Sequence, residues 1–429
     1  MIRFRILRGW FLGSLLAANA ALAHGGGLIV RSLTFVDNQP QSMLAGTSAG
    51  ALFTSDRGAH WEWICEEAIG YGQNDIPVWA VSKQGTFFAA ALKGLYASRD
   101  HGCTWTAQPD FASTGAKDIQ VDAQGTLYVT TQRYSAVNGL FISKDDGATF
   151  SPTPISNDHL FVSSVRVSPS RLQRIYVAAW WFEAPATSVW FVSDDSGQTF
   201  SQRDVSAEQG GGGPFAVLAV HPTRPEIVLA ALTYDSGNRP SFLLRSENGG
   251  ATFTQVLTGA DAYNSAAFNA DGRVAWVAAG NALYRSDDGG KTFAAQPAPT
   301  RNACVQTRGD DVFACGWSIV DGWGLGLFSD ACPNKWEALF RYERIGAVKN
   351  CPAGSPVHDV CTPLLPALQA TVPVDLPYDA GCGNLGEEPS DAGPGTTAVK
   401  SCGCGSASAL SALGALGVLA FLRKRQQTR

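Results

Sequence analysis

Carboxylate side chains stand beside aromatic side chains at several points of this sequence, in segments between runs typical of β-strands. A planar ring can stack on the flat face of a ligand, and a carboxylate accepts hydrogen bonds from hydroxyl groups. Together they suit the recognition of a polyhydroxylated ligand such as a carbohydrate. The candidate binding residues are Tyr71, Asp75, Trp180, Trp181, Glu183, Tyr234, Asp235, Trp317, Asp321 and Trp323.

The same carboxylates raise a catalytic hypothesis. Two carboxyl groups about 5–10 Å apart can hydrolyse a glycosidic bond, one of them acting as the acid. Glu66 or Asp75 would pair with a carboxylate on a facing loop, but spacing along the chain does not set their separation. The alternative is that the aromatic rings form the cores of long loops.

A repeated octet indicates the elements that hold these loops. Five copies keep the pattern Ser-x-Asp/Asn-x-Gly-x-Thr-aromatic. They are SRDHGCTW (98–105), SKDDGATF (143–150), SDDSGQTF (193–200), SENGGATF (246–253) and SDDGGKTF (286–293). An earlier copy, Thr54 to Trp61, has His60 in place of threonine, and a later one, Ser329 to Trp336, keeps only its two ends. The copies recur about every 45 residues, the length of one four-stranded propeller blade.

Each octet follows one β run and opens another, so it is a hairpin connection. The third residue can accept hydrogen bonds from the N–H groups of the turn, and the glycine can adopt a positive φ. The final aromatic residue is expected to bury between neighbouring blades. The third-position residues are therefore predicted to be structural: Asp56, Asp100, Asp145, Asp195, Asn248 and Asp288.

The octet resembles the Asp-box of bacterial neuraminidase (BNR) repeats, which occurs in sialidases, sortilin-type receptors, xyloglucan-cleaving glucanases and a photosystem assembly factor. The resemblance spans about residues 28–345 and implies an all-β propeller. Seven octets predict seven four-stranded blades within residues 24–345. Six blades is the alternative if the last octet lies outside a blade. The ligand would lie on the face opposite the octets.

The family includes glycoside hydrolases, but the sequence departs from their patterns. A sialidase-like site needs an arginine cluster, and only Arg31 and Arg166 stand in predicted inner strands, without an evident third partner. The early Arg-Ile-Pro-like motif of sialidases is absent, and the glucanases use a cleft between two propellers. We therefore predict a non-catalytic binding or scaffold module for carbohydrate or another surface protein, with a glycoside hydrolase as the alternative.

Both ends of the chain have the features of sorting segments. Residues 1–23 combine a basic start, an apolar stretch and Ala21-Leu22-Ala23, as a cleaved signal peptide does. Residues 383–401 form a polar linker predicted to be disordered. Residues 402–429 combine Cys402 and Cys404 with an apolar stretch and a basic end, which suits a transmembrane helix.

This C-terminal pattern resembles the MYXO-CTERM sorting tail of myxobacterial surface proteins, which implies processing by a protease of the myxosortase type. A plain membrane anchor is the alternative. Either interpretation predicts an exported protein at the cell surface or outer membrane of a bacterium, and the resemblance favours a myxobacterium.

Eight of the ten cysteines precede the tail, and an even number in an exported chain predicts disulfides. Cys304 and Cys315 flank a predicted hairpin turn and form the one pair that can be proposed. Residues 346–382 contain three cysteines and are predicted to be a disulfide-pinned extension. No CxxC pair precedes the tail and the histidines are scattered, so neither a metal nor another cofactor is expected.

Composition narrows the class of partner. The chain carries a formal net charge of −5 and no long basic run outside its termini. Phosphate backbones are bound by clustered Lys and Arg, so nucleic acid is not an expected partner.

Overall fold

The computed structural model describes residues 29–370 except 37–38, 73–74, 184, 210–211, 233–239, 260, 281, 297–301, 317–323, 329–335 and 342–344. The predicted signal peptide, the linker and the tail with Cys402 and Cys404 lie outside the described residues. Among the described residues, no helix is long and apolar enough to span a bilayer.

Most described residues form antiparallel sheets of four strands. The first four sheets contain β1 (Val30–Phe35), β2 (Met43–Thr47), β3 (Gly50–Thr54), β4 (Trp61–Ile64), β5 (Val78–Val81), β6 (Phe87–Ala91), β7 (Gly94–Ser98), β8 (Thr106–Ala107), β9 (Asp118–Val121), β10 (Leu127–Thr130), β11 (Asn138–Ser143), β12 (Ser151–Asn157), β13 (Leu160–Ser168), β14 (Arg171–Trp181), β15 (Thr187–Ser193) and β16 (Ser201–Asp204). The next three contain β17 (Phe215–Val220), β18 (Val228–Leu232), β19 (Ser241–Ser246), β20 (Thr254–Gly259), β21 (Tyr263–Phe268), β22 (Ala275–Ala279), β23 (Ala282–Ser286), β24 (Ala294–Gln296), β25 (Asn302–Arg308), β26 (Asp311–Gly316), β27 (Leu325–Phe328) and β28 (Glu337–Phe340).

These sheets are the seven blades of a closed ring. Within each blade the strands pair in chain order, and the first strand of each blade contacts the first strand of the next. Strand β25 of the last blade contacts β1 of the first, which closes the ring. The seven-bladed, four-stranded β-propeller predicted from the octets is confirmed. The six-bladed alternative is excluded because β25 to β28 form a complete seventh blade.

In blades 2 to 6, burial falls from the second strand to the outer strand. All five residues of β2, β6, β18 and β22 are buried, because both faces of these strands pack against neighbouring blades. Alanine is frequent there, as in the FFAAA of β6, and its small side chain lets adjacent blades approach closely. The outer strands β8 and β24 are mainly exposed.

The two faces of the ring are built from different connections. We call the octet face the one that carries the hairpins between the third and fourth strands, where the octets lie. The upper face carries the connections from the second to the third strand and those from one blade to the next. Because the strands are antiparallel, the two sets lie at opposite ends of every blade.

The ring is closed by side-chain packing between the last and first blades and by one added strand. Trp61 Nε1 donates to the carbonyl of Leu339 at 3.3 Å, and its ring packs on Phe340 at 5.3 Å. Strand β29 (Ile345–Val348) then adds to the outer edge of blade 1, parallel to β4. The last blade is thereby attached to the first.

Three disulfides are present among the described residues. Cys304–Cys315 links the adjacent strands β25 and β26, as predicted. Two further pairs, Cys65–Cys361 and Cys103–Cys351, hold the chain after β29 against blades 1 and 2. That segment contains a π-helical turn, Val357–Cys361, and a helix, α2 (Thr362–Ala370). The turn packs against a short helix, α1 (Glu66–Ile69), and 3₁₀ turns occur at Pro109–Phe111 and Ser206–Gln209.

Candidate functional site

The octet turns have the same internal hydrogen bonds in successive blades. In blade 4, Asp195 Oδ1 accepts from Ser193 Oγ at 2.7 Å and from the N–H of Thr199 at 2.9 Å. Its Oδ2 accepts from Thr199 Oγ1 at 2.5 Å, and Gly197 donates its N–H to Ser193 Oγ at 2.8 Å. These bonds stabilise the charged carboxylate and lower the pKa of Asp195 to about 2.

Four other aspartates of the repeat hold the same kind of turn. Asp100, Asp145 and Asp288 accept from the corresponding serine and threonine, and hydrogen bonds lower the pKa of Asp145 to about 2. Asp56 accepts instead from Thr54 and His60. The carboxylates are therefore engaged within their own turns.

The seven first strands surround a central channel. A cavity of about 360 Å³ in it is lined by residues of all seven blades. Arg166 on β13 donates from Nη1 to Asp118 Oδ2 at 2.6 Å and from Nε to the carbonyl of Leu218 at 3.1 Å. The guanidinium therefore connects blades 3, 4 and 5, and does not project freely into the channel.

A second cavity, of about 500 Å³, lies where the channel opens on the upper face. Arg31, Asp75, Leu92, Lys117 and Asn264 are among its lining residues. Asp75 Oδ2 accepts the N–H of Leu92 at 2.6 Å, and burial raises the pKa of its carboxyl group. Two cations and one carboxylate therefore stand at this mouth.

Behind the mouth lies a buried acidic group. The side chain of Glu66, at the start of α1, is 1% exposed, and burial together with the charges of Glu67 and Asp75 raises its pKa to about 7. Tyr71 is also fully buried, and its ring packs edge-on against Tyr96 at 6.3 Å. The structure thus places Tyr71 in the core, while Asp75 reaches the cavity.

A cluster of aromatic side chains occupies another part of the upper face, on blades 3 and 4. We call Tyr134, Phe161, Trp180 and Phe182 the aromatic platform. Tyr134 is 67% exposed, and its ring packs edge-on against Phe161 at 4.6 Å and against Phe182 at 5.2 Å. Trp180 packs on Phe161 at 5.3 Å.

Charged groups border this platform. His159 Nδ1 lies 2.8 Å from Glu183 Oε1, and both side chains are exposed. Trp181 follows Trp180 on β14 and therefore points to the opposite side of the strand, where it packs on the core between blades 3 and 4. Trp180 packs on the platform and Glu183 lies at its border, whereas Asp75 lies in the connection from blade 1 to blade 2.

The loop that presents Tyr134 is held by a buried amide. Asn138 is fully buried; its Oδ1 accepts the N–H of Arg133 at 2.7 Å, and its Nδ2 donates to the carbonyls of Arg133 and Ala136 at 2.9 and 3.2 Å. Ser135 at the tip has a φ of 59°, an uncommon value outside glycine. Because this loop is already ordered before a ligand binds, less conformational entropy is lost on binding.

The structure does not describe the remaining predicted residues. Tyr234, Asp235, Trp317, Asp321 and Trp323 lie outside the described residues. Among the described residues, no group of three or more His, Cys, Asp or Glu side chains is arranged to hold a metal ion.

Several upper-face residues were missed by sequence reasoning. Leu92 and Val137 are each 57% exposed, and both lie in connections from a second to a third strand. His159 lies in a connection between blades. Once the blades are counted, the position of an apolar residue in such a loop is a signal that could have identified Leu92 and Val137.

Comparisons with known proteins establish a likeness of fold only. No family model and no curated protein matches the sequence. An ancestral GH74 enzyme superposes with a TM-score of 0.55 at 13% identity, over 73% of this chain and 46% of that one. A GH74 enzyme from Niastella koreensis gives a TM-score of 0.44 at 14% identity over 72% and 65% of the two chains. YCF48 from Cyanidioschyzon merolae gives 0.48 at 15% identity over 72% and 97%.

The chain therefore spans less than two thirds of the length of the two GH74 enzymes. At these identities the likeness shows a shared propeller architecture, and a fold of this kind hosts many functions.

Proposed function

We propose that this protein is a non-catalytic binding propeller that takes carbohydrate on the aromatic platform of its upper face. The observation that carries the proposal is the exposure of Tyr134 on a loop ordered by Asn138. A solvent-exposed aromatic ring of this kind offers a large, rigid contact area at low entropic cost. Loops on a rigid scaffold are the usual carriers of binding residues.

Carbohydrate fits the platform better than a purely apolar ligand does. The rings of Tyr134 and Phe182 are flanked by the exposed His159–Glu183 pair, 2.8 Å apart. The carboxylate can accept hydrogen bonds from sugar hydroxyl groups while the Tyr134 ring covers the apolar face of the sugar.

We also propose display on the outside of a bacterial cell. The support is the signal-peptide pattern of residues 1–23 and the tail at 402–429, which resembles a MYXO-CTERM signal with Cys402 and Cys404 as its sorting motif. A myxosortase-type protease would then process the tail. The Asp-box resemblance of the octets fits this proposal, since the repeat supplies the scaffold and the opposite face supplies the site.

A glycoside hydrolase is the second candidate, and one observation favours it. Burial raises the pKa of Asp75 and raises that of Glu66 to about 7, and a glycosidase acid needs a raised pKa. Two facts weigh against it: Glu66 is 1% exposed, and Asp75 is committed to the N–H of Leu92. We therefore rank binding above hydrolysis.

The test is binding of the full chain to a glycan array, followed by titration of the retained glycan against Tyr134→Ala. Loss of the exposed ring is expected to weaken binding by about tenfold or more. Leu92→Ala is the matched control, because Leu92 is similarly exposed on the upper face but lies at the channel mouth. It should bind as the wild type does.

Three results would contradict the proposal. One is a protein that retains no glycan and yet releases reducing ends from a polysaccharide, which would favour the hydrolase. The other is equal glycan binding by Tyr134→Ala and wild type, which would move the site away from the aromatic platform. Capture of a surface protein without any glycan would overturn the carbohydrate assignment.

A further inference from the structure

Among the described residues of the octet face, two equivalent cavities can be compared, each between the turns of neighbouring blades. One lies between blades 3 and 4 and measures about 570 Å³; the other lies between blades 5 and 6 and measures about 340 Å³. Both are lined by the third and seventh residues of an octet and by the sixth residue of the next one. They therefore allow a comparison of like positions within one molecule.

The two cavities differ in the charged residues that line them. The first has Ile142 before its octet and Gln198 on the next blade. The second has Arg245 and Lys291 at the corresponding places. Its octet also carries Asn248 where the other complete octets carry aspartate. Over all lining residues, the first cavity has one lysine, Lys144, and one carboxylate, whereas the second has two cations and one carboxylate, Glu247, so it carries one more positive charge.

Asn248 also reverses a hydrogen bond. Its Oδ1 accepts the N–H of Thr252 at 2.9 Å, and this backbone donor fixes which atom of the amide is the oxygen. Its Nδ2 must then donate to Thr252 Oγ1, 2.9 Å away. In the aspartate turns the threonine hydroxyl donates to the carboxylate instead, as Thr199 does to Asp195. The hydroxyl proton of Thr252 is therefore available to another acceptor.

Of the three guanidinium nitrogens of Arg245, two donate hydrogen bonds within the described part of the chain. Arg245 is 5% exposed; its Nε donates to the carbonyl of Gly289 at 2.9 Å and its Nη1 to Glu247 at 2.6 Å. In the described part of the chain, its Nη2 has no hydrogen-bond acceptor. A buried donor left without an acceptor is unfavourable, so an oxygen supplied by a ligand would be stabilising.

We propose that the cavity between blades 5 and 6 is a binding site for a tetrahedral oxyanion, as found in sulfate and phosphate esters, recognised by Arg245, Lys291 and Thr252. The site goes beyond the carbohydrate platform, since it lies on the opposite face. Glu247 already occupies one edge of the guanidinium, so a planar carboxylate cannot form the paired contact that favours it. The remaining donors come from three separate side chains, which suits an acceptor with oxygens in three directions.

The test uses the full chain and isothermal titration with inorganic sulfate and with inorganic phosphate, at constant ionic strength in chloride. Acetate serves as the planar comparison. Asn248→Asp is the main variant, because an aspartate turn already folds in the other complete octets. It restores the carboxylate and recaptures the Thr252 hydroxyl, and it is expected to weaken anion binding about tenfold or more. Its unfolding midpoint should be no lower than that of the wild type.

A matched pair of lysine variants separates the site from general salt effects. Lys291→Gln introduces the residue type that the other cavity has at this position, and it should weaken binding about as much as Asn248→Asp does. Lys144→Gln removes a lysine from the equivalent cavity between blades 3 and 4 and should leave binding unchanged.

Either of two results would overturn the site: no binding of sulfate or phosphate by the wild type, or equal binding by wild type and Asn248→Asp. Binding of acetate as tight as that of sulfate would overturn the tetrahedral assignment. A preference for sulfate over phosphate, or the reverse, identifies which ester the site recognises.

Discussion

The two faces of the ring use the same blades in opposite ways. On the octet face, side-chain bonds recur from blade to blade, and the aromatic residue that ends each octet packs between blades. On the upper face, the connections differ in every blade, and they hold the aromatic platform and the channel mouth. The contacts that recur from blade to blade hold the ring together, whereas the connections that vary provide the surfaces for binding. Substitutions of the aromatic residues packed between blades should therefore mainly reduce stability, whereas substitutions in the aromatic platform should mainly weaken binding.

The largest effect is expected at Trp190, which joins blade 4 to the octet of blade 5. Its ring is 1% exposed and packs on Phe253 at 5.2 Å, and its Nε1 donates to the carbonyl of Gly249 at 3.1 Å. Trp190→Ala leaves a large cavity and an unpaired carbonyl. We expect the free energy of unfolding to fall by about 3–5 kcal/mol, measured by urea denaturation.

Trp180→Ala is the counterpart on the upper face. Trp180 is only partly buried at the edge of the aromatic platform, so its removal should cost about 1 kcal/mol or less in stability. Glycan binding, by contrast, should weaken. If both tryptophan variants lost equal stability, the division between the two faces would not hold.

A second prediction concerns how the stability of the protein depends on pH through the buried carboxyl group of Glu66. The folded state raises the pKa of Glu66 to about 7, above the usual value of about 4.3 for a glutamate. The protonated form is favoured in the folded state, so its contribution to stability is complete below about pH 4 and is lost as the pH rises to about 7. Glu66→Gln should therefore stabilise the protein by about 1–2 kcal/mol at pH 8 and not at pH 4.

Chemical denaturation at the two pH values measures this difference. Glu67→Gln is the control, because Glu67 neighbours Glu66 on α1 but is exposed. Its effect should be the smaller one at pH 8. A Glu66→Gln protein with the same pH profile as the wild type would show that the carboxyl group is not held in its protonated form.

Local patterns in the sequence were sufficient to predict the ring. Each octet carries its own turn chemistry, so counting octets predicts the blades, and Cys304 and Cys315 are close in sequence across one hairpin. The pairs Cys65–Cys361 and Cys103–Cys351 are separated by 296 and 248 residues, and their pairing depends on how the ring closes. Spacing along the chain does not contain that information.

The candidate sites were harder to predict for a related reason. Tyr71 and Tyr134 look alike in sequence, as single tyrosines in loops, yet one is fully buried and the other is 67% exposed. The difference arises from α1, which places Tyr71 under blade 2, and from Asn138, which holds the Tyr134 loop outward. Such contacts are tertiary, and composition does not determine them.

The smallest expected effect tests whether the octet carboxylates act through charge or through shape. Hydrogen bonds lower the pKa of Asp195 to about 2, so its contribution to stability is present above about pH 4 and is lost as the pH falls through about 2. Asp195→Asn should keep the turn, as Asn248 does in blade 5, and slightly reduce stability at neutral pH. The drop in urea midpoint between about pH 4 and pH 2 should be smaller in the variant than in the wild type. An unchanged drop would show that hydrogen-bond geometry alone, without the charge, stabilises the turn.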